Sequence, residues 1–156
     1  MVSLKNSFLY ISMSKKSLAL VILQFSCFTF FALNGGLFAK GNLLYLQIIG
    51  LAIGLWGILV MKLGNLNIQP EVKPNAEFIS NGPYKFIRNP MYTGLLIFFI
   101  TSVFTNFSYV RLGVLIVLTI VLLMKIFMEE QFLNERFEKE YLDYKKKTYR
   151  LIPFIF

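Results

Sequence analysis

Four long apolar runs, Leu18 to Phe38, Leu43 to Met61, Met91 to Phe107 and Leu112 to Met128, leave this chain few folds to choose from. At about 1.5 Å per residue the first two cross a hydrocarbon core of roughly 30 Å unaided, and the last two need flanking residues or a thin bilayer. Hydrophobic residues make up 56% of the 156 positions, well above the usual share in soluble domains. The expectation is an all-α integral membrane protein: about four transmembrane helices, an ordered cytoplasmic loop and a C-terminal amphipathic helix. It is a single membrane domain, residues 1–156, with N-terminal helices and loop in 1–81 and a binding region in 82–156.

The charges orient it. Lys5, Lys15 and Lys16 precede the first run, Lys62, Lys73, Lys85 and Arg88 lie in the central loop, and Arg136, Lys139, Lys145, Lys146, Lys147 and Arg150 follow the last run. Lys40 and Arg111 stand in the two tight hairpins. By the positive-inside rule both termini and the central loop are cytoplasmic, in a prokaryotic inner membrane or an endoplasmic reticulum. No cleavage pattern follows the first run, so it is read as retained. The net charge of +8 meets anionic lipid headgroups beside the spans, and nucleic acid is not an expected partner.

Between Lys62 and Pro90 the apolar pattern collapses, and Pro70, Pro74, Pro83 and Pro90 are four of the five prolines. Prolines fix φ and turn the preceding residue from helix, which predicts an ordered extended loop. Pro90 suits the first turn of the third helix, with Asn89 as its N-cap. Before Lys16, a short interfacial or frayed arm is expected to face lipid with Leu4, Phe8, Leu9 and Tyr10. Gly50, Gly54 and Gly57 put small residues on one helical side for close packing. Past Met128 the pattern continues through Phe132, Leu133, Phe137, Tyr141 and Tyr144 as an amphipathic stripe, and Arg150 to Phe154 return to the membrane surface as an extended tail.

The chain has no histidine, and its one cysteine, Cys27, lies inside the first run. That excludes histidine metal sites and Ser-His or Cys-His nucleophiles, and no metal is expected. The eight carboxylates all lie outside the runs, against the signature of a proton-relay transporter. Glu129 and Glu130 could accept hydrogen bonds from vicinal hydroxyls, or could simply solvate a helix leaving the bilayer, Lys125 pairing with Glu129 at i,i+4. Arg88, before a helix start, suits a carboxylate or phosphate, or is a topology charge. Tyr84, Tyr92, Tyr141, Tyr144 and Tyr149 could wall a pocket or form an interfacial belt.

Taken in order, Gly82-Pro83-Tyr84 through Arg88-Asn89-Pro90-Met91-Tyr92-Thr93-Gly94, then Glu129-Glu130, Phe137, Glu140-Tyr141, Tyr144 and Ile152-Pro153, resemble the isoprenylcysteine carboxyl methyltransferase family. Phospholipid methyltransferases share the pattern. The resemblance covers about Gly82 to Pro153. It implies a membrane methyltransferase that uses S-adenosylmethionine and takes a lipophilic or prenylated acceptor from the bilayer, with a carboxylate or thiol as acceptor group. It further implies that Tyr84, Arg88, Asn89, Tyr92, Gly94, Glu129 and Glu130 line the cofactor pocket, with Arg88, Asn89 and Arg150 at the reaction. Arg88, Lys147 or Arg150 would hold an acceptor carboxylate. Arg88→Ala and Glu130→Ala are each expected to abolish cofactor binding or turnover with the fold intact.

Two departures matter. Asn89 stands where the family usually has His, and Glu138 where it usually has Gly. Asn keeps a hydrogen bond but shuttles no proton at neutral pH, so an ammonium acceptor would need another base. The alternatives are a phospholipid N-methyltransferase, an NADPH-dependent membrane reductase, whose families are usually longer, and a non-catalytic protein packing on a partner through Gly50, Gly54 and Gly57.

Overall fold

The computed structural model describes residues 3–65, 78–153 and 156, with side chains from residue 15 onward and none for 62–65. The chain is all-α and membrane-spanning. Helix α1 covers Ser3–Leu33, α2 Asn42–Asn65, α3 Pro90–Thr105 and α4 Tyr109–Lys147, with a short 3-10 turn at Gly82–Lys85 before α3. Three helices have stretches long and apolar enough to cross a bilayer, at Lys15–Leu33, Asn42–Met61 and within Tyr109–Lys147. The fourth expected span, α3, has 16 residues, about 24 Å, short of a full crossing.

The arm expected before Lys16 is the first part of α1, helical from Ser3, since neither Gly nor Pro interrupts Ser3 to Leu33. The side chains of Leu4, Lys5, Phe8, Leu9, Tyr10 and Lys62 lie outside the described residues. So does the loop 66–77, with Pro70, Glu71, Lys73, Pro74 and Glu77.

Helix α2 packs chiefly on α3, and α1 chiefly on α4. Buried Phe31, Phe99, Val103, Leu118, Leu122 and Ile126 form the core between them. Leu23, Phe25, Ile48, Leu55, Leu59, Ile120 and Phe127 face outward, as a lipid-facing surface requires. Along the α2–α3 seam the small-residue expectation is met by three glycines. A Cβ on Gly94 would fall 2.5 Å from the Gly50 carbonyl oxygen and 2.8 Å from the Gly54 Cα, so only Gly allows this approach.

The hairpins at the far end are tied by one side chain. Arg111, placed in a hairpin by the sequence, is buried, and its guanidinium donates to the carbonyls of Gly35 at 2.7 Å and Gly36 at 3.0 Å and to Ser102 Oγ at 2.8 Å. Gly35 and Gly36 both have positive φ, 69° and 60°, which ends α1 and turns those carbonyls toward Arg111.

Helix α4 is 39 residues long, about 58 Å, nearly twice the hydrocarbon thickness. Its apolar part ends at Met128, and the rest forms the expected amphipathic extension, broken at Glu138 (φ 39°, ψ −111°). Beyond the break Tyr141 and Tyr144, with Phe137 before it, gather around Phe78 at ring distances of 5.2 to 6.2 Å. The tail departs from expectation. It is extended only at Thr148–Tyr149, where Tyr149 bridges Ile87, and then turns so that Phe156 exchanges backbone bonds with Ile152 and accepts from Leu151. That turn pairs backbone groups an isolated strand would leave open and lays the Phe156 ring 4.8 Å from the Arg150 guanidinium.

Candidate active site

The segment from Gly82 is shaped by its own residues. Gly82 has φ 57°, and a Cβ there would meet Val60 Cγ2 at 2.8 Å. Pro83 starts the 3-10 turn, and Tyr84 is buried with its hydroxyl 3.4 Å from the Gly57 carbonyl. Tyr144 from α4 donates to the Tyr84 carbonyl at 2.7 Å. Burial, then the charge of Glu129, pushes the Tyr84 phenol up, so it stays protonated at neutral pH.

Next along the chain, the backbone N–H of Arg88 donates to the Tyr149 carbonyl at 2.7 Å, and Tyr149 N–H to Phe86 at 2.9 Å. This pairing brings the tail beside the start of α3. Asn89 sits at the N-cap position but caps nothing with its side chain. Its amide donates instead to the Arg150 carbonyl at 3.1 Å, and Thr93 Oγ1 donates to the Leu151 carbonyl at 2.8 Å. Asn89 is a tether for the tail.

Glu130 is the centre of the charged cluster and is 5% exposed. Arg88 Nε donates to its Oε1 at 3.1 Å, while Arg150 grips both oxygens, Nε to Oε1 at 3.0 Å and Nη2 to Oε2 at 2.8 Å. Lys145 Nζ lies 3.8 Å from Oε2. Arg88 also donates to the carbonyls of Lys145 and Thr148. Burial pushes the Glu130 carboxyl up, but the hydrogen bonds from Arg150 and Arg88 and their charges outweigh it and hold it below the ordinary range. The same bond from Glu130 raises the Arg150 guanidinium. Three cations thus surround one carboxylate, an excess of positive charge that suits a further anion. Beside them Tyr141, 1% exposed, has a buried hydroxyl with no partner among the described residues.

One residue back, Glu129 points elsewhere. Its Oε1 accepts from the Tyr92 hydroxyl. Lys125 Nζ lies 5.5 Å from the Tyr92 ring centre and donates to Gln24 Oε1 at 2.7 Å. Tyr92, Lys125 and Gln24 form the polar end of a cavity of about 780 Å³. Its walls are otherwise apolar, with Phe25, Phe28, Leu51, Leu55, Leu95 and Phe98 among them from α1, α2 and α3.

The expected site residues therefore divide. Arg88, Asn89, Glu130 and Arg150 meet around the tail, Tyr84 sits against Gly57 and Tyr144, and Tyr92, bonded to Glu129, lines the cavity. Gly94 lies in the helix seam and also lines the cavity. Lys147 is exposed, and Lys145 takes the place beside Glu130. Lys125, read from sequence only as a partner of Glu129, and Gln24, which sequence reasoning missed, are buried polar groups inside apolar runs, the one pattern that could have marked both. Tyr141 and Thr93 were marked by the motif pattern without a role in this cluster, and Thr148 carried no signal.

A family model described as phospholipid methyltransferase matches residues 29–140, well over half the chain, so the match takes in Arg88, the seam glycines, both glutamates and the cavity lining except Gln24, Phe25 and Phe28. The chain belongs to the phospholipid methyltransferase family. The match reaches back through α2 to Thr29, where resemblance by motif began only at Gly82, and it ends before the tail. No curated protein matches the chain. As a phospholipid methyltransferase family member, it is a membrane methyltransferase whose charged cluster and apolar cavity adjoin at Glu129-Glu130.

Proposed function

We propose that this chain transfers a methyl group from S-adenosylmethionine to a lipophilic acceptor drawn from the bilayer. The observation that carries the reading is the junction at Glu129 and Glu130, where a cation-rich cluster on one side backs onto an apolar cavity on the other. When bound, the cofactor supplies a methyl group on a positively charged sulfur. The residues fit it: Arg88, Arg150 and Lys145 exceed Glu130 in charge and suit its carboxylate, and the orphaned Tyr141 hydroxyl suits a ribose or carboxylate oxygen.

The cavity holds an acyl or prenyl chain along α1, α2 and α3, and its polar end holds the acceptor group. Little covalent help is asked of the protein. Its work is alignment in a site from which water is excluded. A carboxylate acceptor would have to share Arg88 or Arg150 with Glu130, whereas a thiol or the amine of a phospholipid needs only the polar end.

Two measurements test the reading. Purified protein incubated with methyl-labelled S-adenosylmethionine and a native lipid extract is expected to yield a labelled lipid by mass spectrometry; label found only in water-soluble products would reject it. Tyr141→Phe is expected to keep wild-type thermal stability, because it deletes a hydroxyl with no partner among the described residues, and to weaken cofactor binding by about tenfold in calorimetry.

A further inference from the structure

A methyl acceptor that arrives as a thiol or an ammonium must lose a proton, and Asn89, tethered to the tail through its amide, cannot take it. The described part of the cavity offers three polar side chains. Gln24 has no titratable group, and Lys125 Nζ is committed as a donor to Gln24. Tyr92 remains. It lines the cavity, and its hydroxyl passes its own hydrogen to Glu129, which is half-buried behind it.

We propose that Tyr92 and Glu129 are the proton acceptor of this site, serving an acceptor group that enters the cavity protonated. This rests on the methyltransferase reading. In the step, the acceptor's N–H or S–H bond breaks and its electron pair stays on the nitrogen or sulfur. The proton passes to the Tyr92 oxygen as the Tyr92 proton passes to Glu129 Oε1, leaving a neutral tyrosine and a neutral carboxylic acid. The freed pair then forms the new bond to the methyl carbon, whose former bonding pair stays with the donor's sulfur. Glu129 returns its proton to water before the next turnover.

The surroundings suit the task. Glu129 is faced by Tyr92 from α3, by Tyr84 from the 3-10 turn, and by Lys125 and Glu130 on its own helix. Burial pushes the Glu129 carboxyl up to about 7, against the Tyr92 hydrogen bond and the charge of Lys125 one turn earlier, which suits a group that must take up a proton, while Glu130 is engaged by Arg88 and Arg150. The chain thus carries its base on α4 and α3 instead of at the helix start where Asn89 stands.

The test needs no turnover. Dodecylamine is added to purified protein in mildly alkaline buffer and difference infrared spectra are recorded. A protonated-carboxyl band is expected in the wild type and not in Glu129→Gln, while Tyr92→Phe reduces it. Dodecyltrimethylammonium, with the same charge and no N–H, is expected to give no band. A wild-type spectrum without the band, or a band that survives Glu129→Gln, overturns the proposal.

A second arm uses turnover. Glu129→Gln is expected to cut kcat with an amine lipid about 100-fold or more and to flatten the acid limb of the pH profile, with cofactor affinity held within about threefold. An equal loss of cofactor affinity would make Glu129 a cofactor ligand instead. If the wild type binds no S-adenosylmethionine, the methyltransferase reading fails, and the infrared arm still decides the proton acceptor.

Discussion

Glu130 accepts from two arginines while nearly inaccessible, so its removal leaves two half-buried cations without their carboxylate. Glu130→Ala is expected to destabilise the protein by about 1–3 kcal/mol, read as a lower unfolding midpoint in detergent. The sequence-based expectation of an intact fold is therefore revised, because the residue that marks the site also fastens the tail. The pH dependence follows in sign. With the folded carboxyl below its ordinary value of 4.5, the stabilisation is complete above that value and is lost as pH falls through the folded one. Glu130→Gln should blunt this acid sensitivity. Glu138 behaves differently: its φ of 39° is strained for a residue with a Cβ, which gives a physical reason for the Gly usual there. Glu138→Gly is expected to raise stability by about 1 kcal/mol in the same assay. Motif order made Arg88 and Glu130 legible as site residues. Their pairing with each other was not legible, because opposite charges separated by 42 positions carry no spacing rule.

At the scale of helices, the apolar runs gave away number and order, and boundaries moved by a few residues except at α1, which starts at Ser3 and not at Leu18. What they could not reveal was which glycine bears the load in the α2–α3 seam. Gly94→Ala places a methyl against rigid backbone, whereas a Cβ on Gly54 would meet its nearest atom at an ordinary 3.7 Å. Gly94→Ala should therefore cost about 1–3 kcal/mol and Gly54→Ala little, compared by thermal unfolding in one detergent. Equal effects would mean that the seam is looser than it stands. Gly94 is thus both the tightest point of the seam and a residue of the cavity wall. Asn89 shows a related limit: its position at the helix start was readable, but its side-chain partner lies 61 residues away.

For the molecule as a whole, the membrane class was readable from composition and periodicity, while the cavity was not, because its walls use the same Leu and Phe as the lipid-facing surface. Only Gln24 and Lys125 stand out against that background. Two helix pairs, α1 with α4 and α2 with α3, enclose it. Arg111 clasps them at one end, and the tail, through Arg150, Asn89 and Thr93, latches α4 to α3 at the other. The pairs are pinned at both ends and packed between them, with Phe28 and Phe31 of α1 against Phe99 of α3, so the width of the greasy cavity is governed by two distant polar knots that no hydrocarbon guest would touch.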